Sequence, residues 1–170
     1  NDVVFDMRAN ATIGFPTRFG PVPRTYPYWV QAQTSERIVS GGANSAILPW
    51  PSSLEIVSPT GQTVEVEATP LLETTRFGGI DYEYRDLHPD AAVLDQVTED
   101  DLAKQLIAVA LTGTVCPELE PKCEKNPDRP FRMIVVADSD WVSDGFLGRS
   151  EENLTLAVNW IEWLAQEDTL

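Results

Sequence analysis

Between Arg132 and Gly145 the chain reads RMIVVADSDWVSDG. An apolar run stops at three carboxylates, Asp138, Asp140 and Asp144, and a long helical pattern follows from Ser150. No other stretch restricts the fold as much. A run that is apolar on both faces needs cover on both faces, which predicts a strand of a parallel or mixed sheet. Ser150 is a good N-cap, and Glu151 and Glu152 lie where the helix dipole favours negative charge. Thr155, Asn159, Glu162 and Gln166, spaced four, three and four, form one narrow polar stripe. Apolar residues fill most of the remaining circumference, including Trp160 and Trp163, which predicts a helix covered on more than one side. Both indoles are expected in the core.

The rest of the chain adds strands and loops. VVFDM (3–7) and YWVQAQ (28–33) read as strands, and SAILPW (45–50) as a strand that Pro49 ends. Gly14 to Pro27, rich in Gly, Pro and aromatics, reads as an irregular loop. SERIVSGG (35–42) reads as one short turn of helix stopped by Gly41 and Gly42. SLEIV and TVEVEAT flank SPTGQ, a hairpin signal whose second strand would bury Val64 and Val66 and expose Glu65 and Glu67. PLLETT (70–75) extends that region, and a strand is expected near IDYEYR (80–85) within a long polar loop. Thr98 and Asp101 mark a helix start, and Ile107–Val115, β-branched and Thr-rich, a buried strand.

A chain of 170 residues supports one domain with a real core. Its formal charge of −15 argues against nucleic acid as a partner and weakens attraction to an anionic bilayer. The longest apolar run, LIAVAL (106–111), is far too short to span a membrane. The sequence starts at Asn1 and ends soon after the helical pattern, so an excised or processed piece of a larger protein is expected. Cys116 and Cys123 lie in a Pro-rich loop, and the one histidine, His88, is elsewhere, which disfavours zinc. A local Cys116–Cys123 disulfide, which implies an oxidising compartment, is favoured over two free thiols.

Nucleophilic catalysis lacks a motif. There is no G-x-S-x-G, and neither cysteine sits at a strand-to-helix elbow. No Walker loop or G-x-G-x-x-G is present. Counted from Asp138, the acidic turn fails the calcium-loop pattern: position six is Ser143 and position twelve Arg149. Two readings remain. Asp138, Asp140 and Asp144 could hold a hard cation for metal-assisted hydrolysis at a strand's carboxyl end. Alternatively, Asp138, Ser139 and Ser143 hydrogen-bond loop amides and shape the turn, which is the favoured role. Tyr26, Tyr28, Trp29 and Trp50 would serve a carbohydrate- or surface-binding module if they formed a flat exposed row.

RMIVVADSDWVSDGF and NLTLAVNWIEWLAQED together resemble the closing strand–turn–helix of the auxiliary domain of uncharacterised ABC-type transport systems. That family includes gliding-motility-associated, substrate-binding-like accessory proteins. The similar positions are Ala137, Asp138, Ser139, Asp140, Trp141, Asn153, Leu154, Asn159 and Trp160. Ala137 stands where a Gly is usual. ATPLLETT and LIAVALTG resemble further family segments, so the likeness covers most of residues 45–170. It implies an α/β fold with a mixed, partly parallel sheet, similar to the second half of a glutamine amidotransferase-like or flavodoxin-like domain without its catalytic residues. To that fold the hairpin and the C-terminal helix would belong. It also implies a non-catalytic domain outside the cytoplasm, in a membrane-anchored parent protein that contacts permease and ATPase subunits. No ligand residues carry over, and no cofactor is expected. The uncovered apolar surface of an excised piece predicts a homodimer.

Overall fold

The computed structural model describes residues 2–35, 42–57, 66–82, 87–88, 94–114 and 130–165. The strands are β1 (Val3–Asp6), β2 (Asn10–Thr17), β3 (Gly20–Thr34), β4 (Ser45–Pro49), β5 (Val66–Glu73), β6 (Gly78–Asp81), β7 (Leu106–Thr114) and β8 (Pro130–Val136). Two helices close the chain, the four-residue α1 (Asp144–Leu147) and the long α2 (Glu151–Ala165). β1 and β6 form a two-stranded sheet. The larger sheet runs β2-β3-β5-β7-β8, with β4 beside β3.

Every pairing among the described residues is antiparallel. This corrects the expected parallel or mixed sheet and the amidotransferase-like or flavodoxin-like fold; the sheet instead curls into a half-barrel. Apolar residues on both faces signal burial and carry no information about strand direction. Parallel neighbours need a crossover of a dozen or more residues, usually a helix. The one long helix among the described residues follows the last strand, so it makes no crossover. β7 is buried on both faces at Ile107–Ala110 within an antiparallel setting. β8 is an edge strand, and its Met133 is half exposed.

The Gly14–Pro27 stretch, expected as an irregular loop, belongs to the β2–β3 hairpin. Its prolines are tolerated because Pro16 lies on the edge strand β2, and Pro21, Pro23 and Pro27 on the part of β3 that pairs with β2 alone. Arg18 and Phe19 make the tip between the paired Thr17 and Gly20. Gly20 adopts a φ of 110°, which L side chains avoid. The Thr17 hydroxyl donates to the Gly20 carbonyl at 2.6 Å and accepts the Phe19 N–H at 3.2 Å.

The hairpin expected around SPTGQ is also revised. Residues 51–57 form no strand; Leu54 N–H reaches the Leu106 carbonyl instead. Residues 58–65 lie outside the described residues, as do SERIVSG (35–41) beyond Ser35, most of YEYR, and Cys116 and Cys123. Val66, expected to be buried, is exposed at the start of β5. The start signal at Thr98 opens only a 3-10 turn, Glu99–Asp101. There the Thr98 N–H and hydroxyl donate to the Asp101 carboxylate, holding it below its ordinary pKa.

α2 packs across β4 and β8 and places Leu156 and Trp160 on the core formed by Val30, Leu48, Leu72 and Ile107. Full burial of a residue such as Leu156 contributes about 2 kcal/mol. Asn153 anchors the helix to the sheet. Its amide donates to the Ile47 and Trp141 carbonyls and accepts the Ile47 N–H, each at 2.9 Å. A second cluster, Val3, Phe5, Tyr26 and Tyr28, fills the space under β1. Gly79 is obligatory there, because a Cβ would overlap the Phe5 ring. Asp6 is fully buried, and its carboxylate accepts the N–H groups of Arg8, Ala9 and Thr75 and the Thr75 hydroxyl, at 2.7–2.8 Å.

Candidate functional site

β8 delivers the acidic turn to a fixed place. After Val136, Ala137 N–H bonds the Ile107 carbonyl, and Ser52 N–H bonds the Ala137 carbonyl. The turn therefore leaves the sheet beside the end of β4. A pocket of about 360 Å³ opens there, lined by Pro49, Trp50, Leu87 and the segment Ala137–Asp140. Two sets of candidates that the sequence kept apart thus meet: Asp138 and Asp140 face the same cavity as Trp50.

Asp138 shapes the turn, as the favoured reading held. Its Oδ1 accepts the Asp140 N–H at 2.7 Å. Its Oδ2 is buried with no hydrogen-bond partner. Burial is the main force that pushes this carboxyl up to about 6; the neighbouring Asp140 charge adds to it, and the Asp140 and Trp141 N–H groups oppose it. The hydroxyls of Ser139 and Ser143 make no cap bond; Ser143 serves through its carbonyl, which accepts Phe146 and Leu147 N–H. Asp144 begins α1 and does not line the pocket. Among the described residues, no group of three His, Cys, Asp or Glu side chains is arranged to hold a metal.

The four aromatics do not form a flat exposed row. Tyr26 and Tyr28 are buried, Trp29 is half buried, and Trp50 is 38% exposed. They stack edge-on: Trp29 to Trp50 at 5.8 Å and Tyr26 to Trp50 at 6.3 Å between ring centroids. Trp50 has a φ of +50°, rare for a bulky residue and costing about 1–3 kcal/mol. Its N–H bonds the Tyr28 carbonyl at 2.8 Å, and its indole N–H bonds the Tyr26 hydroxyl at 2.9 Å. The Tyr26 hydroxyl in turn donates to the Leu87 carbonyl at 2.5 Å. This chain of bonds holds the strained residue with its indole on the pocket wall.

Sequence reasoning missed Leu87 as a wall of the pocket, and Phe146 and Arg149 as partners of Trp29, at 4.9 Å ring to ring and 5.5 Å guanidinium to ring. None of the three carries a pattern that would have marked it. His88 packs edge-on against Phe15 at 4.8 Å. Chemically, the pocket sets an indole beside the Asp138–Asp140 turn, with Asp138 Oδ2 itself closed off from solvent. Among the described residues, no imidazole, thiol or cation lines it.

A family model described as ABC-type uncharacterized transport system matches residues 1–164, a longer stretch than residues 45–170 on which the resemblance was read. That description names a transport system and no motility role. No curated protein and no solved structure gives a match.

Proposed function

The chain belongs to the ABC-type uncharacterized transport system family, and from that premise we propose that it is a non-catalytic, extracytoplasmic part of the accessory protein it serves. An accessory role in an ABC transport system follows from membership itself. The finer reading is that the domain works by contact, with the permease and ATPase assembly reached through its membrane-anchored parent. The family match over residues 1–164 is the observation that carries it. The Trp50–Asp138 pocket supports contact, because an indole and a polar turn line it together. In the extracytoplasmic setting Cys116 and Cys123 would be expected to pair.

Affinity purification of the intact parent protein from its native membrane tests the assembly. An ABC permease and its ATPase should co-purify in fixed proportion; their absence after crosslinking would refute the reading. Location is tested separately by protease added to intact cells with a permeabilised outer envelope. The domain should be cleaved there while a cytoplasmic control survives, and protection of both would place the domain inside.

A further inference from the structure

Charge is distributed unevenly along this chain. Between Asp6 and Glu36 there is no acidic residue, and Arg8, Arg18 and Arg24 are present. From Ser150 to Leu170 there is no basic residue and five carboxylates. The first segment makes the β2–β3 hairpin, and the second makes α2. The distal part of the hairpin is exposed from Pro16 to Phe19 and from Pro21 to Thr25, while nearer its base Ile13 packs on the Val3–Tyr28 cluster and Phe15 on His88. At about 3.3 Å per residue, it carries its tip about 23 Å beyond Tyr26. A two-stranded ribbon alone is marginal in water, and the Ile13 and Phe15 contacts brace its base. The tip is well built, with Thr17 bonding across the turn, and it holds Phe19 96% exposed beside Arg18. Pro16, Pro21 and Pro23 remove N–H groups along the ribbon, so strand addition to its edge is discouraged and the tip is what it offers.

α2 presents the complement. Leu154, Val158 and Ile161 lie at spacings of four and three on its outward face, at 50%, 45% and 65% exposure. Glu151 and Glu162 border them and are exposed. This is an apolar stripe with an acidic rim, and the hairpin tip is an aromatic plug with a basic flank.

We propose that two copies of this chain associate by arm exchange, the Arg18–Phe19 tip of each seating on the Leu154–Val158–Ile161 face of the other's α2. Under two-fold symmetry the contact is made twice, and both unpartnered surfaces are covered at once. A second copy is the favoured occupant because its α2 supplies the acidic rim, Glu151 and Glu162, that the Arg18 flank meets at short range, where complementary charges act while salt screens the long-range repulsion between two chains of −15. The inference does not depend on the transport reading.

Sedimentation equilibrium of the 170-residue chain tests it. The wild type should dimerise at about 0.15 M salt, where the repulsion between two chains of −15 is largely screened. Phe19→Asp and Ile161→Asp should each weaken the dimer about thirtyfold or more, as expected at an interface centre. Both sites are exposed, and matching circular dichroism and melting curves will confirm that the variants fold. Arg18→Glu should weaken the dimer, and Arg18→Glu with Glu162→Arg should recover much of it, a rescue that a merely structural role would not give. A wild type that stays monomeric at the highest concentration, or a dimer indifferent to Phe19→Asp, overturns the proposal. So does a monomer that floats with phosphatidylglycerol vesicles through Phe19, which would assign the tip to a membrane.

Discussion

Replacing Asp138 with Asn should make the protein more stable at neutral pH. The carboxyl sits with one oxygen bonded to the Asp140 N–H and the other buried without a partner. Burial raises its pKa from 3.8 to about 6. A carboxyl with a raised folded pKa is one whose protonated form the fold prefers. Between pH 3.8 and about 6 the native state therefore holds more proton than the unfolded state, and stability falls as pH rises through that window. Two pKa units correspond to about 3 kcal/mol. Asp138 is partly open to solvent through the pocket, and screening reduces the figure to about 1–2 kcal/mol. Asn keeps the acceptor for Asp140 N–H and removes the charge. Urea unfolding of wild type and Asp138→Asn across pH 3.5–7.5 measures the effect, because taking the difference cancels the other carboxylates. The two proteins should match near pH 3.5 and separate as pH rises, with the variant ahead by about 1–2 kcal/mol at pH 7. Asp140→Asn should narrow that gap, since its charge helps to raise Asp138. An Asp138→Asn protein that is less stable at pH 7, or a difference that does not change with pH, would refute the reasoning and point to a turn that needs the anion.

Other substitutions test the packing. Asn153→Ala removes three buried hydrogen bonds between α2, β4 and the Trp141 turn, and should cost about 3 kcal/mol in chemical unfolding. Asp6→Ala strands the N–H groups of Arg8, Ala9 and Thr75 and should cost at least as much, about 3 kcal/mol or more, with Asp6→Asn intermediate. Gly79→Ala drives a methyl into the Phe5 ring, and a melting temperature within a degree of wild type would contradict the close β1–β6 approach. For the proposed extracytoplasmic setting, Cys116 and Cys123 should show no free thiol in native protein isolated without reductant; a titre of two thiols would defeat that pairing.

What the sequence could show was local. The N-cap at Ser150 and the apolar periodicity that follows it place α2 correctly, with Asn153 N–H bonding the Ser150 side chain. Strands at VVFDM, YWVQAQ, SAILPW, LIAVAL and RMIVVA are equally legible, because alternation or continuous burial leaves its mark on neighbouring residues. The turn-forming role of Asp138 was legible too, since it acts on an amide two residues away. Strand direction was not. The apolar character of Met133–Ala137 records how much of β8 is covered, while its antiparallel pairing with β7 shows only in the register of the assembled sheet. The hairpin from Asn10 to Pro27 was hidden for a related reason: its prolines argue against a strand only if the strand is paired on both sides, and only the assembled sheet leaves β2 and the first part of β3 with one partner each. The pocket lay furthest from sequence reasoning. Trp50 and Asp138 are 88 positions apart, and a curled sheet brings the ends of β4 and β8 together. The burial that raises the Asp138 pKa belongs to that meeting of elements and to neither segment alone.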